Sequence, residues 1–202
     1  YSAKKIILTA GRKRNHLNVK GEREFAGRGV SYCATCDAQF FKNKIVAVVG
    51  GGNSALSTAL LLSEYPSKVY VVYRKGKFFR TEPFMTKQVR TNKKIRIIFN
   101  TEISEIFGGQ SVEGIKFNNG KKLRVDGVFV ETGFLGGEAL VQQLNLKTEN
   151  EFVVVDRKQR TSVWGIFAAG DITNNPLKQI ITACAEGAIA ANSAYEELRN
   201  EK

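Results

Sequence analysis

Lys44-Ile45-Val46-Ala47-Val48-Val49-Gly50-Gly51-Gly52-Asn53-Ser54-Ala55 decides how this chain folds. The first six residues form a near-continuous apolar run, the pattern of a strand buried on both faces. The glycines break it. Ala55, Leu56, Ala59, Leu60 and Leu62 then recur at helical spacing, with Asn53 placed to cap the helix. Pro66-Ser67 ends that helix, and Lys68-Val69-Tyr70-Val71-Val72-Tyr73 is the next strand. The result is a β-α-β unit, whose crossover demands a parallel sheet. Within it, Gly50-x-Gly52-x-x-Ala55 stands where a dinucleotide fingerprint must stand, between strand and helix. Gly50 makes the tight turn, Gly52 lets the backbone approach a pyrophosphate, and Ala55 gives close helix–strand packing. The phosphates of a dinucleotide would sit over the helix N-terminus, where free N–H groups favour anions; a tight strand-to-helix turn with no ligand is the alternative.

Downstream, Thr81 to Arg90 predicts a helix. Short strands follow at Ile95–Phe99, Glu102–Phe107, Val112–Phe117 and Lys122–Val125, with hairpin turns at Gly108-Gly109 and Asn118-Asn119-Gly120. Gly127 to Val130, Phe152 to Val155 and Ile166 to Ala168 are further strands, and an Ala-rich helix runs from Ile180 to Leu198. Upstream, Lys4 to Leu8 is a short strand ending at Thr9-Ala10-Gly11. The fold class is therefore α/β: a Rossmann-like three-layer domain with an antiparallel β-meander. No apolar run reaches the roughly 20 residues that a membrane span needs. The net charge is +12, but the basic residues are scattered, with no aromatic-studded basic face or nucleic-acid module. Nucleic acid and membrane are accordingly not expected as partners.

The second strand of the β-α-β unit leads into Arg74-Lys75, where a nicotinamide site selective for the unphosphorylated cofactor carries an acidic residue. Two cations there suit a 2′-phosphate, with Arg80 as a third, so NADPH is preferred over NADH. An exposed basic loop is the alternative. Just upstream of the strand lies Cys33-Ala34-Thr35-Cys36-Asp37. A Cys-x-x-Cys holds a metal, packs inertly or cycles as a disulfide. Zinc would need both His16 and Cys184 to converge on the pair, so no metal is expected. Redox cycling fits better: a helix N-terminus favours thiolate at one cysteine, and Asp37 can move protons to and from it. Asp37 as a plain turn or capping residue stays open. With only three cysteines and no leader-like start, the expected setting is reducing and cytoplasmic.

Together these segments resemble the low-molecular-weight thioredoxin reductases and the related flavoprotein of alkyl hydroperoxide reductase, over nearly the whole chain. Ser31-Tyr32-Cys33-Ala34-Thr35-Cys36-Asp37 resembles the family's redox motif, and Val49 to Ala55, including Asn53 and Ser54, its NADPH turn. Thr161 to Asp171, with Phe167-Ala168-Ala169-Gly170-Asp171, resembles its flavin-binding segment; Lys178-Gln179-Ile180 resembles the stretch lying against the flavin ring. The resemblance implies that Cys36 faces the flavin, Cys33 attacks the partner disulfide and Asp37 is the acid/base. It implies that Asp171 bonds the FAD ribityl chain, that Gln179 and Ile180 approach the ring, and that Thr9 to Gly11 flank the bound FAD. Arg74, Lys75 and Arg80 fall at the 2′-phosphate motif. Tyr73 stands where the family often has His, Lys75 where it has Arg, and Ala38 where it has Gly.

The resemblance also implies an organisation. Residues 1–13 are the end of a first FAD segment, 14–133 the NADPH domain with the redox site, and 134–202 the C-terminal part of a second Rossmann-like FAD domain. The family opens with its own glycine-rich turn for FAD, which does not precede Tyr1, and Met85 is the only methionine. The expectation is a fragment lacking about the first third of a flavoenzyme, with exposed apolar surface, an incomplete FAD site and little activity alone. The implied complete enzyme is a homodimer passing electrons from NADPH through FAD to Cys33–Cys36 and on to thioredoxin or a similar small redox protein. A peroxidase module as acceptor and a nucleotide-binding module without catalysis are the alternatives. Glycines at Gly27 to Gly29 and Gly133 to Gly137 are candidate hinges, Gly133 also a cofactor neighbour.

Overall fold

A computed structural model of the chain describes residues 2–79, 81–135 and 138–200. Arg80 and the hinge candidates Gly136 and Gly137 lie outside the described residues. The chain divides into two compact units: a central one of Arg14–Gly133, and a flanking one formed by Tyr1–Lys13 with Phe134–Lys202.

Strand β1 (Ile6–Leu8) belongs to the flanking unit. The central unit begins with β2 (Val30–Ser31) and the one-turn helix α1 (Ala34–Asp37). Then come β3 (Ile45–Val49), helix α2 (Asn53–Leu62), β4 (Lys68–Val72), helix α3 (Pro83–Thr91) and β5 (Ile95–Ile98). A meander of β6 (Ile103–Gly108), β7 (Val112–Phe117) and β8 (Lys122–Arg124) leads to β9 (Gly127–Val130). The main sheet has the order β2-β9-β3-β4-β5, with every neighbouring pair parallel.

The period of two along a strand explains the three layers. Val46, Val48, Val69, Val71 and Phe129 point to one side, into a cluster with Ala55, Leu56, Ala59 and Leu62 of α2. Ala47, Val49, Val72, Val128 and Val130 point to the other, against Ile106, Val112, Ile115 and Phe117 of the meander. Both faces are covered, as a parallel sheet requires. One strand differs from expectation. Ile95–Ile98 is not part of the meander but the fifth strand of the parallel sheet, registered against Val69–Val72. Helix α3 supplies the crossover that a second parallel neighbour needs.

The flanking unit continues with helix α4 (Glu138–Gln143), a two-residue hairpin of β10 (Thr148–Glu149) and β11 (Phe152–Val153), strand β12 (Ile166–Ala168) and helix α5 (Ile180–Asn200). Helix α4 and the start of the hairpin were not foreseen from sequence. β1 and β12 pair in parallel, Ile6 opposite Ile166 and Leu8 opposite Ala168. Ile166 and Ala168 pack with Leu8, Val141 and Val153, while Phe167 and Ala169 pack with Ala190 and Ala194 of α5. Small residues on α5 let it approach the strand pair closely. Its buried Glu197 accepts hydrogen bonds from Lys5 Nζ at 2.9 Å and Arg160 Nε at 2.7 Å.

Candidate nucleotide and disulfide sites

Cys33 and Cys36 are joined as a disulfide, their Cα atoms 5.3 Å apart. The bridge spans one turn because Cys33 is the N-cap of α1: its sulfur accepts the Cys36 N–H at 3.2 Å. Ala34 and Ala38 anchor the turn in the same apolar cluster as α2. Ser31, which the sequence marked only as part of a motif, organises the polar side. Its hydroxyl donates to Asp37 Oδ2 at 2.7 Å and accepts the Cys33 N–H at 3.1 Å. Asp37 is thus connected, through one serine, to the backbone of the first cysteine. Cys184 is an exposed free thiol of α5, and no group of three or more potential metal ligands stands together among the described residues.

A second polar centre adjoins the cysteines. Glu22 is buried, and its carboxylate accepts from the Leu17 N–H at 3.0 Å, the Asn18 N–H at 2.7 Å and the Tyr32 hydroxyl at 2.9 Å. His16 Nδ1 lies 3.3 Å from the same carboxylate and 3.1 Å from the Tyr32 oxygen. Burial, and then the bond to Glu22, push the Tyr32 phenol up to about 12. Nothing in the sequence spacing pointed to this cluster.

The glycine turn is crowded at Gly50 and open at Gly52. Gly50 has φ +154, and a Cβ there would lie 2.2 Å from the Glu131 carbonyl oxygen, so no side chain fits. Gly52 is different: a Cβ would meet only the Phe79 carbonyl oxygen, at 3.9 Å, leaving the backbone open to a ligand. The helix N-cap is Gly52, not Asn53 as the sequence suggests. Asn53 Oδ1 instead accepts the Glu82 N–H at 3.0 Å, and among the described residues no side chain caps the N-terminus of α2. The first-turn N–H groups therefore keep their capacity for an anion. Ala55 is fully buried beneath Gly50, 3.0 Å from where a Cβ there would stand. The loop after β4 folds over the turn, with the Phe79 N–H donating to the Gly51 carbonyl at 2.8 Å. Arg74 and Lys75 stand exposed on that loop, Lys75 Nζ 5.3 Å from the centre of the Phe79 ring. Gly133 closes the central unit, its carbonyl accepting the Asn15 N–H at 2.9 Å.

In the flanking unit, β1 and β12 bring their carboxyl ends together. The Ala169 N–H donates to the Leu8 carbonyl at 3.1 Å, so Thr9 to Gly11 and Gly170-Asp171 emerge side by side. Glu186 of α5 fixes the turn by accepting the Gly170 N–H at 2.7 Å. Lys178 donates to the Thr173 carbonyl. Burial lowers its pKa, while Glu186 and Asp171 act to raise it. Gln179 precedes α5, its N–H donating to Thr182 Oγ1 at 3.1 Å, and Ile180 is 86% exposed.

Residues 1–187 match the family described as pyridine nucleotide-disulphide oxidoreductase. The chain belongs to this family. Its relatives include a thioredoxin reductase of Listeria innocua, 36% identical over 208 residues, and one of Mycolicibacterium smegmatis, 38% identical over 207. Both alignments take in 100% of this chain, and 65% and 66% of the respective relatives. The solved thioredoxin reductase of Streptococcus pyogenes superposes with a TM-score of 0.87 at 34% identity, covering 99% of this chain and 67% of that one. The chain thus spans about two-thirds of the length of the relatives it matches. The family pairs a nicotinamide nucleotide with a redox disulfide, and the fold matches the resemblance read from the motifs. Among the described residues no helix is long and apolar enough to cross a membrane.

Proposed function

We propose that this chain carries the NADPH and disulfide sites of a flavoprotein disulfide reductase of the thioredoxin reductase type. The observation that carries the reading is the joint presence, in one unit, of a Cys33–Cys36 disulfide and an uncapped glycine turn with an open face at Gly52. Gly50, Gly52, Asn53, Ser54 and Ala55 form the cradle for the pyrophosphate of NADPH. Arg74 and Lys75 take its 2′-phosphate. Gly133 belongs to the same edge of the sheet.

Thr9, Gly11, Gly170, Asp171, Lys178, Gln179 and Ile180 are the residues of the flanking unit that would hold FAD. They fit the group because the carboxyl ends of adjacent parallel strands are where such folds take ligands. When bound, FAD supplies two-electron transfer between nicotinamide and disulfide. The chain's own residues do the rest. Two electrons and two protons convert the Cys33–Cys36 disulfide to two thiols. Asp37, oriented by Ser31, holds the proton exchanged with the cysteine that acts as leaving group. Cys33, as thiolate, attacks a partner disulfide; Cys36 resolves the mixed disulfide and the intramolecular bond reforms. Thioredoxin or a similar small redox protein is the acceptor, the cytoplasm the setting and a homodimer the complete enzyme.

Two experiments test the reading. Calorimetric titration of NADPH and NADH into the chain should show tighter NADPH binding; equal or tighter NADH binding overturns the cofactor preference. NADPH-driven reduction of thioredoxin by the full-length enzyme should vanish with Cys33→Ser. Turnover that survives the substitution would rule out the disulfide route.

A further inference from the structure

β3 and β9 are neighbours in the sheet, yet the chain leaves β3 toward β4 on one side and returns to β9 on the other. The crevice outside their carboxyl ends is the switch point at which open α/β sheets take ligands. Gly50 is the first residue beyond β3, and Glu131 the first beyond β9. They stand in close register: the Glu131 N–H donates to the Val49 carbonyl at 2.8 Å, and Gly50 leaves no room between itself and the Glu131 carbonyl. The backbone of Glu131 thus adjoins the glycine turn from the side opposite β4, while its side chain reaches α2.

This side chain is half-buried. Thr58 Oγ1 of α2 donates to its Oε1 at 2.8 Å, and among the described residues its second oxygen has no hydrogen bond within the protein. Burial pushes its pKa up, opposed by the Thr58 bond and the charge of Arg14. A half-buried acid with one hydrogen bond retains capacity to accept another.

Strand order decides which part of a dinucleotide would meet it. Arg74 and Lys75 follow β4, on one side of β3; Glu131 follows β9, on the other. A ligand with its 2′-phosphate at the β4 side and its pyrophosphate over the turn carries its nicotinamide half toward β9, one strand spacing of about 4.8 Å further. The phosphates are acceptors, which a carboxylate repels. The nicotinamide carboxamide and its ribose hydroxyls offer donors. We infer that Glu131, positioned by Thr58, is the hydrogen-bond acceptor for the nicotinamide half of the dinucleotide, and that it sets affinity for that half independently of the adenosine half. The inference rests on the dinucleotide reading of Gly50 to Ala55.

The test is calorimetric titration of NADPH, and of 2′,5′-ADP as the adenosine half alone, into the 202-residue chain. Glu131→Ala should weaken NADPH about tenfold, the worth of one hydrogen bond, and change 2′,5′-ADP by less than about twofold. Glu131→Gln keeps a carbonyl acceptor and should lose no more than about threefold. Equal weakening of both ligands, or unchanged NADPH binding, overturns the inference. Should Glu131→Ala fail to fold, Thr58→Val decides: a loss confined to NADPH supports the assignment, and unchanged NADPH binding overturns it. A wild-type chain that binds neither ligand overturns the dinucleotide reading itself, and this inference with it.

Discussion

The two units solve the same packing problem to different degrees. The central unit buries a five-stranded parallel sheet between helices and a meander, and Val46, Val48, Val69, Val71 and Val72 have no exposure at all. The flanking unit has a parallel pair, β1 with β12, and a long helix whose other side shows Ile180 and Ile181 to solvent at 86% and 75%. Leu177, Trp164 and Tyr195 are also more than half exposed there. A parallel sheet is stable when covered on both faces, and a two-stranded one has little to cover. The difference teaches that the proposed nucleotide turn is framed on both sides by strands, whereas Thr9 to Gly11 and Gly170-Asp171, proposed for FAD, follow a single pair of strands.

Four experiments would break or sharpen that contrast. The largest effect is expected at the glycine turn. Gly50→Ala drives a Cβ into the Glu131 carbonyl at a φ of +154 and should cost about 3 kcal/mol or more, with loss of NADPH binding. Gly52→Ala meets nothing closer than 3.9 Å, so thermal melting should move by no more than about 2 °C while NADPH binding is lost. If both variants melt equally low, the turn is a steric hinge and its proposed role as a nucleotide turn fails.

Hydrogen exchange of the whole chain should separate the units next. Amides of β3, β4 and β9 should exchange only through global opening, and those of α5 faster by a factor of about 100. Uniform protection across α5 would erase the contrast. A smaller change is expected from Ile180→Ser combined with Ile181→Ser: binding of a hydrophobic dye should fall by about half, with stability altered by less than about 0.5 kcal/mol. A drop in melting temperature would show that these side chains are packed.

The smallest effect is electrostatic and has opposite signs in the two units. Glu131, facing Thr58 and Arg14, has a pKa raised above 4.5, chiefly by burial. Its contribution to stability is present below the unfolded value and is lost as pH rises through the folded one. Glu131→Gln should therefore gain on the wild type as pH rises above 4.5. For Glu197, burial pulls the pKa upward but the bonds from Lys5 and Arg160 outweigh it and hold it below 4.5. Its contribution is present above the unfolded value and is lost as pH falls through the folded one. Wild type and Glu197→Gln should converge in acid. Denaturant titrations between pH 3 and about 7 read both slopes.

The β-α-β unit was legible because its signals are local: an apolar run, a glycine turn and a helical period. Ile95–Ile98 was misassigned for the converse reason. Four β-branched-rich residues read the same in a meander as at the edge of a parallel sheet, and only α3 packing decides between them. Asn53 looked like a cap because caps favour Asn; the Glu82 N–H, 29 residues away, claims its side chain instead. The cysteine motif showed itself at once. Its supports did not, because Ser31 with Asp37, Tyr32 with Glu22 and Thr58 with Glu131 are pairings of 6, 10 and 73 residues' separation with no periodicity to betray them. Sequence located the cysteine pair and the glycine turn; the groups that hold them are a property of the tertiary fold.

Glu22 shows what such a hidden group does. One carboxylate grips two consecutive backbone amides, Leu17 and Asn18, and the phenol of the residue immediately before Cys33. It works as a rivet through two layers of chain. On one flank of the disulfide the segment is pinned to the body of the central unit; on the other, the Asp37 carboxylate of α1 accepts from Ser31 of β2. The lever arm of any pull on Cys33 by a bound disulfide partner is therefore one residue long.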